Sequence, residues 1–443
     1  MFDKDITYNI EKSRKVSNKV LSILNNDYDK KYYYVLILLL LPIILGIYAA
    51  YIVFTEGIAT FGLNNSVVWG LAISSFVFWI GIGHAGTLIS AILYLFNQKW
   101  RSPIHRMAET MTIISVIIAA FFLLVHTGRP WFAAYWLFPY PSQMGMWVNF
   151  SSPLIWDLFA VLSYFTLSIL FWYFGMIPDL SFYKNKVNSK YKQKLYDWAG
   201  LGFYGSEKQW YYYQRSYMIF AGLAAAMVIS VHTIVSFDFS VTIVHGWHST
   251  IYPIYFVAGA IFSGIAFVIK LIIINRYVFQ LKQYITQQHI EKLNRIFLAM
   301  SLIITYSYIM EFITGVFGGA SERALLLERT TGKYSIIFWF SIITNSLLPL
   351  LYINKKLRKS ILISFIISLF VNIGMWLERF VIVVVSLYKE KILSVSSIYF
   401  PSYIEWFLLF GSFGFFMFIY LLFIKFFPIM SVSEIKMDQI NEK

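Results

Sequence analysis

The chain of 443 residues contains no cysteine, and only 13% of its residues are charged. The absence of cysteine excludes disulfides, cysteine-ligated iron–sulfur clusters and thioether-bound haem from this chain. Soluble domains carry about a quarter charged residues. Because 59% of the chain is hydrophobic, a water-soluble fold could not cover so much apolar surface. The composition therefore predicts an integral membrane protein.

Basic residues outnumber acidic ones, and the formal net charge is +14. A basic excess is also typical of proteins that bind nucleic acid. Here the basic residues are concentrated in particular loops between apolar runs, which is a sign of membrane topology. We therefore predict no nucleic-acid partner. The stretch 1–31 is polar and charged without an apolar core, so we interpret it as a cytoplasmic tail and not as a cleavable signal peptide.

Ten apolar runs are long enough to cross a bilayer, whose hydrocarbon core of ~30 Å needs about 20 residues of helix. Spans 1 to 10 are predicted, in chain order, at residues 32–54, 67–97, 107–127, 153–177, 216–236, 253–275, 296–316, 335–353, 360–385 and 403–425. The four loops on one side hold 19 Lys and Arg residues, against six in the five loops on the other side. This bias predicts that both termini face the cytoplasm.

Two parts of the chain look alike. Span 2 carries a glycine-rich stretch at 81–86, and span 6 carries a stretch of small residues at 258–264. Both spans end in basic residues. The two copies are four spans apart, an even number, so they cross the membrane in the same direction. Within the second stretch, Gly259 and Ser263 are expected to allow close helix contact.

The repeat predicts an all-α membrane protein of two parallel four-helix bundles, formed by spans 2–5 and 6–9, with spans 1 and 10 peripheral. The expected divisions are a cytoplasmic tail (1–31), a peripheral helix (32–54), the first bundle (67–236), the second bundle (253–385), a peripheral helix (403–425) and a cytoplasmic tail (426–443).

Ionisable side chains inside the spans cost ~2.5–3.5 kcal/mol each on insertion scales, so they need a partner or a purpose. At a rise of about 1.5 Å per residue, most of them fall in the outer third of the membrane. These are His126, Asp157, His232, Glu311, Glu378, Arg379 and Glu405. His84, in the middle of span 2, and Glu109, at the inner end of span 3, depart from the pattern.

His126 and Asp157 are the leading candidates for a catalytic pair, because they flank one outer loop at similar depth. A carboxylate beside an imidazole orients it, and such a pair can accept the two protons of a hydroquinone. A structural hydrogen bond is the alternative. The loop itself, 127–152, is aromatic and nearly uncharged. It suits a wall for a hydrophobic head-group or a surface for another subunit.

The other ionisable residues have simpler alternatives. Glu378 and Arg379 are consecutive, about 100° apart on a helix, so each is expected to pair with other groups. Glu405 can also be interpreted as a helix cap at the start of span 10. His84 and His232 are either hydrogen-bonded bundle residues or members of a proton path. A haem between His126 and His232 is a minor alternative, but no metal site is predicted.

Five segments resemble the NrfD/polysulfide-reductase membrane-subunit family, and within it most closely the C subunit of bacterial alternative complex III. They are His84–Ser90, Ala108–Ile113, His126–Trp131, Ser152–Asp157 and Asn372–Arg379. The resemblance runs from span 2 to span 10. It implies two four-helix bundles with flanking helices in the bacterial inner membrane.

The resemblance also implies a menaquinol or ubiquinol site on the periplasmic side of the first bundle, with His126 and Asp157 as proton acceptors. Quinol contacts are expected from Arg129, Trp131 and Trp156. The proton-path candidates are His84, Glu109, His232, Glu311, Glu378 and Arg379. The implied partners are a periplasmic iron–sulfur subunit, a homologous membrane subunit, cytochrome c subunits and lipid, with no haem or iron–sulfur cluster in this chain.

Two other functions remain open from the sequence. A secondary transporter would also have repeats and buried charges, but its site would lie near the membrane midplane at broken helices. A sister subunit with the same fold and no quinol site is the second alternative.

Overall fold

The computed structural model describes residues 2–26, 30–131, 153–248, 251–388 and 398–440, and the regular secondary structure within these ranges is helical. We number the longer helices in chain order. They are α1 Phe2–Leu24, α2 Lys30–Glu56, α3 Leu71–Leu95, α4 His105–His126, α5 Pro153–Tyr183, α6 Lys190–Ala199, α7 Glu207–Ser240, α8 Tyr252–Val278, α9 Gln287–Phe317, α10 Ala320–Thr331, α11 Ser335–Ile353, α12 Ile361–Tyr388, α13 Tyr403–Phe426 and α14 Val432–Ile440.

Ten of these helices are long and apolar enough to cross a membrane. They are α2, α3, α4, α5, α7, α8, α9, α11, α12 and α13, and they correspond in order to spans 1 to 10. The predicted fold class is confirmed. Several helices run past the predicted spans, as α7 does by beginning at Glu207, because a helix continues beyond the bilayer where polar residues replace apolar ones.

The remaining helices, α1, α6, α10 and α14, are too polar for a search based on long apolar runs. The stretch expected to be an N-terminal tail contains α1. Its residues Val16, Val20, Ile23 and Leu24 are buried, and their spacing places them on one face of the helix. The C-terminal tail likewise contains α14, whose Glu434 is buried. Both tails therefore pack against the membrane helices.

Helix α3 lies at the centre of the molecule and is buried along nearly its whole length. It packs against α4, α7 and α8, while α5 contacts α4 and α7. In the second half, α8 packs against α9 and α12, and α11 packs against α12. Helices α2 and α13 pair with each other outside these two groups. The helices of spans 2–5 thus contact one another, as do those of spans 6–9, and the contact between α3 and α8 joins the two groups.

The two ends of the bundle differ in what covers them. Helices α1 and α14 contact each other, and the Lys192 ammonium of α6 donates a hydrogen bond to the Leu24 carbonyl at 2.5 Å. We call this the terminal end, because the first and last helices, α1 and α14, meet there. Helix α10 joins α9 to α11 at the opposite end, which we call the far end. The Lys and Arg bias predicts that the far end faces the periplasm.

Helices α3 and α8 cross in close contact through small residues. A Cβ on Gly81 of α3 would lie 3.4 Å from the Ala260 Cα, and a Cβ on Gly264 of α8 would lie 2.1 Å from the Ala85 Cβ. Ala260 and Gly264 therefore seat α8 on α3, and Ser263 lies at the same crossing, with its Oγ 3.6 Å from a Cβ on Gly81. Gly259 instead leaves room for a side chain of α12, since a Cβ there would lie 2.5 Å from Arg379 Nη2.

Two helices of the second group contain a π-helical turn, at Ile343–Leu347 in α11 and Val381–Val385 in α12. A π turn breaks the regular pattern of helical hydrogen bonds and frees backbone groups. In α12, the Ile382 carbonyl accepts a 2.7 Å hydrogen bond from the Trp247 indole. The turn in α11 places the Asn345 side chain in the core, where it is fully buried.

The α3–α8 crossing gives a stability prediction. Gly264→Ala should lower the thermal stability of the purified protein by ~1–3 kcal/mol, because its methyl group would overlap Ala85 and force the helices apart. Gly222→Ala is the matched control, since nothing lies within 4 Å of a Cβ there. Thermal unfolding in detergent measures both, and equal stability of the two variants would contradict the close crossing.

Candidate functional site

Two carboxyl groups meet at the far end of the first bundle. Asp157 lies one turn into α5, and its carboxyl group lies beside that of Asp238, near the end of α7. Asp157 is 4% exposed, and one oxygen of each carboxyl group has no hydrogen-bond partner. Two neighbouring carboxylates repel each other, so a pair of this kind favours one shared proton. The pair can therefore hold a proton and accept another.

His126 ends α4 at the same end of the bundle. Its Nδ1 lies 2.6 Å from the Leu123 carbonyl. A carbonyl oxygen only accepts, so Nδ1 carries the hydrogen, and Nε2 of the neutral ring is left as a base. Within the described part of the chain, His126 and Asp157 are not hydrogen-bonded to each other. The structure instead gives Asp157 a partner, Asp238, which lies just beyond the predicted span 5.

The expected quinol-contact residues have identifiable neighbours. The Arg129 guanidinium donates to the carbonyls of Thr55 and Glu56, at 3.0 and 3.4 Å, and so caps the end of α2. The Trp131 ring packs edge-on against Phe54, with centroids 6.4 Å apart. The Trp156 ring packs against Phe237 of α7 at 6.5 Å. The rest of the aromatic loop, residues 132–152, lies outside the described residues.

The two histidines of the bundle interior form a pair. Nδ1 of His84 lies 2.6 Å from the Ile80 carbonyl and 3.2 Å from Nδ1 of His232. The single hydrogen on Nδ1 of His84 donates to the carbonyl, so His232 can only accept a share of the same hydrogen. Both rings are fully buried. The His232 ring also stacks on Phe256, with centroids 5.1 Å apart.

Hydroxyl groups extend this pair toward the terminal end. The Tyr164 ring stacks on His84 with centroids 4.5 Å apart. Its hydroxyl donates to the Gly83 carbonyl at 2.9 Å, and the Thr112 hydroxyl donates to the same oxygen at 2.7 Å. Tyr164 is therefore a polar connection between α3, α4 and α5.

A buried charged cluster occupies the terminal end of the first bundle. Glu109 accepts hydrogen bonds from the hydroxyls of Ser90 and Tyr217. The Arg101 guanidinium donates to Ser90 at 3.1 Å and to both oxygens of Glu434 at 2.7 and 2.8 Å. Burial raises the pKa of the Glu434 carboxyl above its ordinary value, and Arg101 opposes that shift. The C-terminal helix thus supplies a carboxylate to the membrane core.

A second ion pair adjoins this cluster. Arg106 donates to Asp179 and to the Gly175 carbonyl, both at 2.6 Å, and Asp179 also accepts from the Ser433 backbone amide at 2.8 Å. A cleft of about 340 Å³ reaches the cluster and is lined by Arg101, Tyr217 and Glu434 among others. Its open side gives water access to groups next to Glu109.

The polar residues of the second bundle are paired among themselves. Glu311 is ion-paired with Arg329, which also donates to the Ser386 hydroxyl at 2.9 Å. Arg379 donates to Glu378 at 3.1 Å. The expectation that these consecutive residues pair only with other groups is therefore wrong, because the two side chains bend toward each other at the start of the π turn in α12.

Other partners complete this second group. Asn345, in the π turn of α11, donates to Glu378 at 3.1 Å and to the Tyr308 hydroxyl at 2.9 Å. The Arg379 guanidinium lies 4.8 Å from the centre of the Phe256 ring, which also stacks on His232. Phe256 is thus shared by the polar groups of the two bundles.

Glu405 is a helix cap. Its carboxylate accepts from the backbone amides of Ser402 and Gly62, each at 2.9 Å, and forms a capping box with Ser402. The capping interpretation is confirmed.

Sequence reasoning missed the charged cluster at the terminal end. Arg101 and Arg106 fall between spans 2 and 3, and Glu434 falls in the expected C-terminal tail. A search for spans counts apolar length and does not detect side chains that fold back into the core. Asp238 was missed for the same reason. Asp238 is the only acidic residue in the loop 237–252, and this isolated carboxyl group is the signal by which it could have been identified.

Comparisons with known proteins agree on one family. The family model described as "Polysulphide reductase, NrfD" matches residues 59–389. The C subunit of selenate reductase from Mesobacillus selenatarsenatis is 24% identical over 354 residues, which cover 77% of this chain and 79% of the relative. A protein of Halobacterium salinarum, named as the C membrane subunit of a dimethyl sulfoxide reductase, is 22% identical over 232 residues, covering 51% of this chain and 47% of that protein.

The charged cluster at the terminal end gives a second prediction. Glu434→Ala should destabilise the protein by ~3–5 kcal/mol, because it leaves the buried Arg101 charge without a carboxylate. Glu207→Ala, at an exposed position on α7, is the control and should change stability little. The yield of folded protein and its unfolding temperature test this. Wild-type stability of Glu434→Ala would show that α14 does not hold the cluster together.

Proposed function

Because this chain belongs to the polysulphide reductase NrfD family, we propose that it is the quinol-oxidising membrane subunit of a respiratory oxidoreductase complex. The observation that carries the proposal is the buried contact of Asp157 with Asp238 at the same end of the bundle as His126. These groups supply proton acceptors at the edge of the membrane, and a lipid-soluble quinol must lose protons there as it is oxidised.

These residues alone can accept both protons that a quinol releases when it is oxidised. A quinol that becomes a quinone releases two protons and two electrons. Nε2 of His126 accepts one proton from one hydroxyl group, and the carboxyl pair, which already holds one proton, accepts the second. With the far end facing the periplasm, both protons leave on that side. Trp131 and Trp156 are proposed to contact the quinol ring, while Arg129 fastens the chain after α4 to the end of α2.

The electrons need an acceptor outside this chain. Without cysteine, the chain holds no thiolate-ligated cluster, so we assign the acceptor to an iron–sulfur subunit docked at the far end. The resemblance favours an assembly of alternative complex III type, with a homologous membrane subunit and cytochrome c subunits. A second candidate is a complex in which the electrons reach a terminal reductase. The relatives named as selenate and dimethyl sulfoxide reductase subunits favour this candidate.

We further propose that protons cross the first bundle along its buried polar groups. From the terminal end, the order is the open cleft, Glu109 with Ser90, the hydroxyls around Tyr164, and the His84–His232 pair. His232 lies on α7, the helix that carries Asp238 at the far end. Glu311, Glu378 and Arg379 form a separate paired group, joined to His232 through Phe256, and are proposed as an accessory part of the path.

The carboxyl pair gives the most direct functional prediction. Asp157→Asn should lower quinol oxidation by the assembled complex ~10²–10⁴-fold, the range typical for losing a proton acceptor. The amide can still donate to Asp238, so the complex should assemble. Asp197→Asn, on the exposed part of α6, is the control and should keep wild-type turnover. Normal turnover of Asp157→Asn would exclude the role of the pair.

The proton path is tested separately. Glu109→Gln keeps the hydrogen bonds from Ser90 and Tyr217 but cannot accept a proton. We expect quinol oxidation to continue in liposomes with fewer protons moved per electron. A pH-sensitive dye inside the liposomes, read against electron transfer, measures the ratio. An unchanged ratio would contradict transport through Glu109 and leave the quinol site unaffected.

A further inference from the structure

Three side chains that can bind metal converge at the far end of the second bundle, away from the proposed quinol site. His245 and His248 lie in the loop between α7 and α8, and Glu322 lies in the first turn of α10. Nδ1 of His245 is 3.1 Å from Oε1 of Glu322, and Nε2 of His248 is 3.7 Å from the same oxygen. All three ligand atoms lie within 4.8 Å of one another.

The hydrogen bond of His248 directs a free ring nitrogen at the carboxylate of Glu322. Nδ1 of His248 lies 2.9 Å from the Val244 carbonyl, which only accepts, so this nitrogen carries the hydrogen. In the neutral ring, Nε2 then carries a lone pair that faces the Oε1 oxygen of Glu322. A cation, either a proton or a metal ion, can bridge two acceptors placed in this way. A backbone carbonyl that fixes the tautomer in this way is the usual support of a metal-bound histidine.

The local backbone places the ligands. Gly246 has a φ of +81°, and it turns the chain between the two histidines. A Cβ at this position would lie 2.4 Å from Leu325 and 2.9 Å from Arg329, so only glycine lets the loop lie directly on α10. The guanidinium of Arg329 would disfavour a nearby metal ion, but its charge is offset by the ion pair with Glu311.

Both distances from the Glu322 carboxylate to the histidines are close to those of a zinc site. Two ligands that are each ~2.0–2.1 Å from a tetrahedral zinc ion lie about 3.3 Å apart, close to the 3.1 and 3.7 Å contacts seen here. Two imidazoles and one carboxylate form a known zinc ligand set that leaves a fourth position for water. A cleft of about 240 Å³ lined by His248 and Glu322 adjoins the cluster and has room for that water.

We propose that His245, His248 and Glu322 bind a divalent transition metal ion, with Zn²⁺ the best fit, and that the ion fastens the α7–α8 loop to α10. The sequence predicted no metal site, because the spacing His245-x-x-His248 is short and ordinary and its carboxylate partner lies two membrane spans further along the chain. The site does not depend on the quinol site of the first bundle, so either one can exist without the other.

The full-length protein, purified in detergent and treated with a chelator, provides the test. Equilibrium dialysis against Zn²⁺ should give one tightly bound ion per chain. His248→Ala and Glu322→Gln should each weaken Zn²⁺ binding at least ~10-fold, by the size of effect seen when metal-site residues are changed. Glu328→Gln, on the same helix but outside the cluster, is the matched control and should bind as the wild type does.

Cobalt provides an independent readout. Co²⁺ bound in place of zinc should give the visible absorption of a four-coordinate ion with nitrogen ligands, and Glu322→Gln should weaken it without unfolding the protein, because the amide has the same shape. The proposal is overturned if wild-type protein binds Zn²⁺ no better than a His245→Ala/His248→Ala/Glu322→Gln variant. It is also overturned if Glu328→Gln loses the same affinity as Glu322→Gln.

Discussion

The free-energy cost of an ionisable side chain in hydrocarbon is the constraint on which this structure depends. Almost every buried charge is met by an opposite charge or a hydroxyl, as Arg101 is by Glu434 and Arg106 is by Asp179. The contact between Asp157 and Asp238 is different, because two acids can only share a proton. A pair that is stable only when partly protonated is suited to exchange protons, whereas the Arg–carboxylate pairs are suited to hold helices together.

Close helix packing allows such pairs to form at depth. Small residues bring α3 against α8 at Gly81 and Gly264, so the polar groups of the two bundles come near each other around Phe256. Further along α3, a Cβ on Gly86 would lie 2.2 Å from the Ala108 carbonyl of α4. The glycines that indicated an internal repeat therefore also set the distances between the functional groups.

Sequence reasoning predicted the spans, because an apolar run of sufficient length has few alternatives to crossing the membrane. It also identified His84 and Glu109 as buried polar residues in the first bundle. The partners of these residues could not be read, since pairing depends on helix rotation and on residues far away in the chain. His84 meets His232, and Asp157 meets Asp238, although neither pair is close in sequence. The roles of His126 and Asp157 in quinol oxidation remain predictions.

Photo-crosslinking is the most direct measurement of where quinol binds. An azido-quinone added to the assembled complex in lipid should label peptides at the far ends of α4, α5 and α7, around His126, Asp157 and Asp238, and unlabelled quinol should compete. Labelling confined to the terminal-end cleft or to the second bundle, with competition by quinol, would contradict the account.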